Sequence, residues 1–151
     1  MSKLNDGIHI KGKSRLTYRD ALTGKFLYQT PWRDNLVTTA GKVLYARLMK
    51  GETLDPCGYC GVGSGDTPAA IGDTALETEI GRLTITDVSI TGAAVTYSTF
   101  FGSADCNGGW WEIGLLTLAT GGTLIARTVL GAEQTKNAAN TITLDYTLTV
   151  A

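Results

Sequence analysis

The sequence predicts an all-β fold, an antiparallel β-sandwich with the jelly-roll as one form of it, carrying one short helix near residues 40–50 and an N-terminal hairpin arm. Three observations carry this. Threonine is the commonest residue, at 23 of 151, and β-branched side chains suit a pleated, half-buried surface. Nineteen glycines against three prolines punctuate the chain with positions that accept positive φ. Finally, Ile142, Leu144, Tyr146, Leu148 and Val150 alternate without a fault with Thr141, Thr143, Asp145, Thr147 and Thr149, the period of a strand with one buried face.

The remaining elements follow in chain order. Residues 15–19 and 25–30 alternate on either side of Asp20-Ala21-Leu22-Thr23-Gly24, a hairpin loop with turn residues at both ends. The period then changes: Val43, Leu44 and Leu48 stand at helical spacing, with Thr39 as N-cap, Arg47 and Lys50 toward the C-terminus and Gly51 as the stop. A helix this short is stable only when docked. The apolar stretch 59–62 runs into a Gly-rich loop over residues 63–73, after which Thr74 and Glu77 have the spacing of a capping box for one helical turn. Strands are expected at 83–90 and 94–101 around Thr91-Gly92-Ala93, then at 110–118 and 123–130 around Gly121-Gly122, and last at 140–150, in meander-like succession. The length fits a single domain, with residues 1–34 as the arm and 35–151 as the body.

Charge is distributed unevenly. The first fifty residues hold ten basic and three acidic side chains, and the rest hold three basic and eleven acidic ones, so a net charge of -1 conceals +7 against -8. No stretch has the length of apolar residues a membrane-spanning helix needs, and the first 13 residues lack the apolar core of a signal peptide. The expectation is a soluble, unprocessed protein with no membrane partner.

Candidate chemistry is sparse. Cys57-Gly58-Tyr59-Cys60, with Cys106 and His9, would formally supply four zinc ligands, but structural zinc sites bring two paired motifs and only one is present. A redox C-x-x-C is expected near a βαβ pattern, which is missing, so small core thiols are the better reading, with no metal and no cofactor. Gly61-Val62-Gly63-Ser64-Gly65-Asp66 places an aspartate where a phosphate loop requires glycine. Glu77 and Glu79 are spaced like surface carboxylates, not like a catalytic pair. With a single histidine, general acid–base chemistry has little to work with, and the chain is read as a non-enzyme.

Interaction residues are more visible. Lys11, Lys13, Arg15, Arg19 and Arg33 are interleaved with Tyr18, Phe26 and Tyr28. A basic, aromatic segment can bind nucleic acid, yet the acidic remainder would repel a polyanion, so a protein partner is favoured and nucleic acid is not. On the strand through Trp110 and Trp111, Glu112 shares the side of Trp110 and Ile113 that of Trp111, which makes Trp111 the expected core residue. Trp110 is then either an exposed anchor or covered by the N-terminal hairpin.

Several segments together resemble a group of small structural proteins of tailed bacteriophages. They are Asn35-Leu36-Val37-Thr38-Thr39-Ala40-Gly41 entering a short helix, the run Gly61 to Ala69, Asp73-Thr74-Ala75-Leu76-Glu77-Thr78-Glu79, Asn107 to Leu116, and Gly122-Thr123-Leu124-Ile125-Ala126-Arg127. The resemblance covers residues 35–150. It implies a virion component made in the host cytoplasm, a capsid decoration or cement protein that forms a homo-oligomer and binds the major capsid protein or other virion proteins. It implies no catalytic residue and no cofactor. A tail or neck adaptor, or fibre anchor, is the nearest alternative, and a carbohydrate-binding module stacking sugars on Trp110 is the alternative from another class.

Overall fold

The computed structural model describes residues 7–151. Ten strands and one helix follow in the order β1 (Ile10–Asp20), β2 (Phe26–Gln29), β3 (Arg33–Val37), α1 (Thr39–Met49), β4 (Tyr59–Gly63), β5 (Glu79–Thr84), β6 (Asp87–Thr91), β7 (Ala94–Phe101), β8 (Gly108–Leu116), β9 (Leu124–Lys136) and β10 (Asn140–Val150). All pairings are antiparallel, in a strongly curled open sheet, a half-barrel, of order β5-β4-β8-β9-β3-β1-β10-β7-β6, with β2 added on β1. The ladder crosses from one half to the other through β3. Its residues Arg33 to Asn35 pair with β1, and Leu36 and Val37 pair with β9.

The expected all-β character, the helix and β7 and β10 are present as read from the alternation. Two stretches differ. The strand expected at 83–90 is split, because Ile85 and Thr86 leave the ladder of β4 and donate instead to Gly58 and Ser98. The one-turn helix expected at Thr74 is not formed, since the Glu77 carboxylate that would cap it is bound to Thr67 instead.

The N-terminal region also differs from a detachable arm. β1 pairs with β10 along its whole length, from Ile10 opposite Val150 to Asp20 opposite Asn140, and places Leu16 and Tyr18 in the core. Only the 20–25 turn and β2 project from the body. Thr38, one residue before the expected cap, accepts a bond from Gly41 N at 2.9 Å and donates to Leu124 O at 2.6 Å, which ties the start of α1 to β9. Gly41 has no Cβ for a reason: one would collide with the Ile125 carbonyl oxygen, so glycine lets the helix lie directly on the sheet.

Trp110 requires a correction. It is fully buried, its ring meets Phe101 edge-on at 4.9 Å and its indole N–H donates to Cys106 O at 2.8 Å. The alternation was misleading because the register between β8 and β9 jumps between Trp110 and Glu112. Such an irregularity flips the inside-outside parity of a strand, so Trp110 joins the core on the side of Ile113, while Trp111 is only half-buried. Trp110 is a core residue that links the two halves of the sheet, and it is neither an interface anchor nor a platform for sugars.

Candidate functional site

The projecting hairpin is built by ordinary turn chemistry. Asp20 Oδ1 accepts from Leu22 N at 3.0 Å, Thr23 N at 2.8 Å and the Thr23 hydroxyl at 3.1 Å, and Gly24 follows at φ 72°. These donors favour the charged carboxylate and hold Asp20 below the ordinary aspartate range. The returning strand is stitched to β1 by Gln29 Nε2 donating to Thr17 Oγ1 at 2.9 Å and by Leu16 N donating to Thr30 Oγ1 at 2.9 Å.

What this frame presents is unusual for a surface. All four residues of β2 are exposed, with Phe26, Leu27 and Tyr28 each about half open to solvent and Leu22 at the tip 97% exposed. Scattered exposed apolar residues are normal, whereas a contiguous set on a four-residue edge strand marks an interaction surface. Trp32 lies beside it, with Lys13 Nζ 4.8 Å and the Arg15 guanidinium 4.3 Å from its ring centre. These cation–π contacts fix the two cations in place. Lys11, Lys13, Arg15 and Arg19 share one face of β1, as every second residue of a strand must. Arg19 also reaches Gly24 O at 3.3 Å, and Arg15 lies 3.8 Å from Asp145. Arg33 leans against the backbone at Gly131 and makes no ion pair among the described residues. Four of the six interaction residues expected from the sequence therefore share one face of β1; Arg33, opposite Ser14, lies on the other face of the sheet, and Trp110 is in the core. Sequence reasoning missed Leu22, Leu27 and Trp32, whose signal was an apolar residue in a turn, a strand without a polar face, and an aromatic after proline.

A second polar constellation lies on the opposite half. Glu112 is fully buried; its Oε1 accepts from Thr78 N at 2.7 Å and Gly65 N at 3.2 Å, and its Oε2 from Glu77 N at 2.9 Å and Arg127 Nε at 2.8 Å. Arg127 also pairs with Asp73 at 3.1 Å and Glu77 at 3.5 Å. Glu77 in turn accepts the Thr67 hydroxyl at 2.8 Å and Thr67 N at 2.9 Å, which hold its carboxyl below the ordinary value of 4.5. Every oxygen of Glu112 is occupied, and the cluster binds the 64–78 loop to β8 and β9. A buried carboxylate satisfied in this way orders the backbone around it. The Gly61–Asp66 stretch is thus β4 and the start of that loop, with Gly63 and Gly65 packed where a side chain would strike Glu112. Glu77 is a loop fastener, not a purely solvated carboxylate.

The three cysteines are free thiols, Cys60 fully buried and the other two partly so. Burial pushes the Cys57 thiol up to about 12 and raises Cys60 and Cys106 as well, the opposite of what a reactive thiolate needs. Among the described residues no group of three or more His, Cys, Asp or Glu is placed to hold a metal ion, and no helix is long and apolar enough to cross a membrane. Compared with family models, curated proteins and solved structures, the chain matches none.

Proposed function

We propose that this protein is a non-enzymatic structural component of a tailed-phage virion, a decoration or cement protein that docks on the assembled shell through its basic, aromatic hairpin face. The observation that carries the reading is that face. An edge strand with three exposed apolar side chains is bordered by cations already held in position, which suits an acidic protein surface. The resemblance of its ordered motifs to those of small virion proteins supplies the biological setting of this reading. In this reading the two halves of the curled sheet act as the layers of a sandwich-type body, the major capsid protein is the partner, and the protein acts as a homo-oligomer. Binding only the assembled shell stabilises that shell by mass action, as RT ln(1 + [L]/Kd) per site.

Quantifying the protein in purified particles of the phage that encodes it tests the proposal. A copy number in proportion to the shell protein supports it, while one matching a single tail or neck ring moves the protein to an adaptor or fibre anchor. Absence from particles overturns the virion reading altogether. Attachment to the shell should also weaken as ionic strength rises, because exposed charges are screened within about 10 Å at 0.1 M salt.

A further inference from the structure

The ladder between β3 and β9 is closed at only two places, Leu36 opposite Arg127 and Val37 opposite Ala126. Beyond these the two segments part. On its other side β9 loses register with β8 between Val129 and Gln134, so residues 130–133 lie outside both ladders. β2 likewise pairs with β1 alone. The result is a seam of about 240 Å³ in the wall of the half-barrel, lined by Tyr28, Thr30 and Arg33 on one side and Leu130, Ala132 and Gln134 on the other. Ser14 and Arg15 form part of its lining. The Ser14 hydroxyl, on a residue 2% exposed, is buried without a hydrogen-bond partner. Arg33 crosses the seam to lie against Gly131, whose φ of 74° and missing Cβ leave room for it.

We propose that this seam is a strand-addition site for an extended acidic segment of a partner protein, which enters between the β2–β3 stretch and β9 and sets a carboxylate on Arg33. This rests on the docking reading above and names its chemistry. Unpaired strand edges supply main-chain donors and acceptors to an incoming strand, and alternate side-chain pockets supply selectivity. A carboxylate fits the cationic side better than any other group, since a guanidinium without an ion pair offers a planar fork that matches it. Unsatisfied buried polar atoms are rare in folded proteins, and a ligand that satisfies the Ser14 hydroxyl accounts for its persistence here.

The test uses a fluorescein-labelled octapeptide that alternates threonine and glutamate, with threonine–lysine and threonine–glutamine octapeptides as controls. Fluorescence anisotropy should show saturable binding of the acidic peptide alone. Affinity should fall about tenfold or more in Arg33→Glu, which removes the ion pair, and in Ala132→Trp, which fills the seam. It should hold in Lys50→Glu, a charge reversal at the far end of α1. Thermal melts confirm that each variant is folded. No saturable binding, or binding retained in both seam variants, overturns the proposal. Sedimentation of the same variants with particles separates the two readings. If particles retain both seam variants like the parent, the seam is not the docking site although the virion assignment stands. If the peptide binds at the seam but no particle does, the seam stands and the virion assignment falls.

Discussion

The 64–78 loop and the 20–32 hairpin are both irregular additions to the same sheet, and they are held in opposite ways. The loop is drawn onto β8 and β9 by a buried carboxylate and guanidinium whose hydrogen bonds are all made within the chain. The hairpin is held by a turn and a few ladder bonds, and leaves its apolar side chains, its outer edge and several cations unmatched. A polar group that is fully satisfied internally orders the chain, whereas one left open is available to another molecule. The acidic body thus spends some of its charge on itself, while most cations of the basic region make no ion pair among the described residues.

Breaking the loop fastener should have the largest effect. Glu112→Ala leaves Arg127 buried beside a missing partner and should cost about 3–5 kcal/mol in chemical denaturation; a loss under about 1 kcal/mol would place the pair among exposed bridges. Pairing it as Glu112→Leu with Arg127→Met should not restore stability, although apolar replacement of an isolated buried pair often does. Three backbone N–H groups, of Gly65, Glu77 and Thr78, would still lack their acceptor.

Next in size is Gly41→Ala, which forces α1 away from β9 and should cost about 1–3 kcal/mol, the usual penalty of overpacking. A neutral result in thermal melts would mean that the helix can shift without loss. Smaller again is a pH effect. Because the folded state holds Glu77 below its ordinary 4.5, the stability this provides is complete above that pH and is lost as pH falls through the lowered value. Thr67→Val should therefore flatten stability measured between neutral and acid pH, and an unchanged profile would remove Thr67 as the cause.

The hairpin provides the contrasting limit. Leu22→Ser with Phe26→Ser should change stability by less than about 0.5 kcal/mol, as exposed substitutions do, while weakening attachment to particles. Unimpaired attachment would move the docking surface elsewhere.

The legible parts of the fold were those with a local cause. β10 shows its period residue by residue, β7 is framed by glycine and turn, and α1 declares itself through spacing and a threonine cap. The illegible parts were settled at a distance. Trp110 changed sides because the register with β9 jumps there, leaving Trp111 on β8 and residues 130–133 on β9 unmatched, and no alternation within 110–118 encodes that. The burial of Glu112 was not legible because alternation assumes one wet face, whereas Leu76 packs with Leu116 and Leu124 where the loop covers the second face. At the candidate site the cations were visible as composition, but Trp32 between Lys13 and Arg15 depends on how the chain returns from β2. The seam itself follows from two ladders that stop early, which no run of residues announces.

The full-length pairing of β1 with β10 has a consequence for how the protein is made. Leu16 and Tyr18 emerge from the ribosome well before the strand that pairs with theirs, with Leu144 and Ile142 opposite. Long-range strand pairing of this kind folds slowly and leaves apolar edges open meanwhile. The sheet can close only after β10 has been translated, so truncated or stalled chains should expose β1 and associate through it. The positive charges on the outer face of that strand, Lys11, Lys13, Arg15 and Arg19, would then repel like strands on neighbouring nascent chains, a protective role during synthesis.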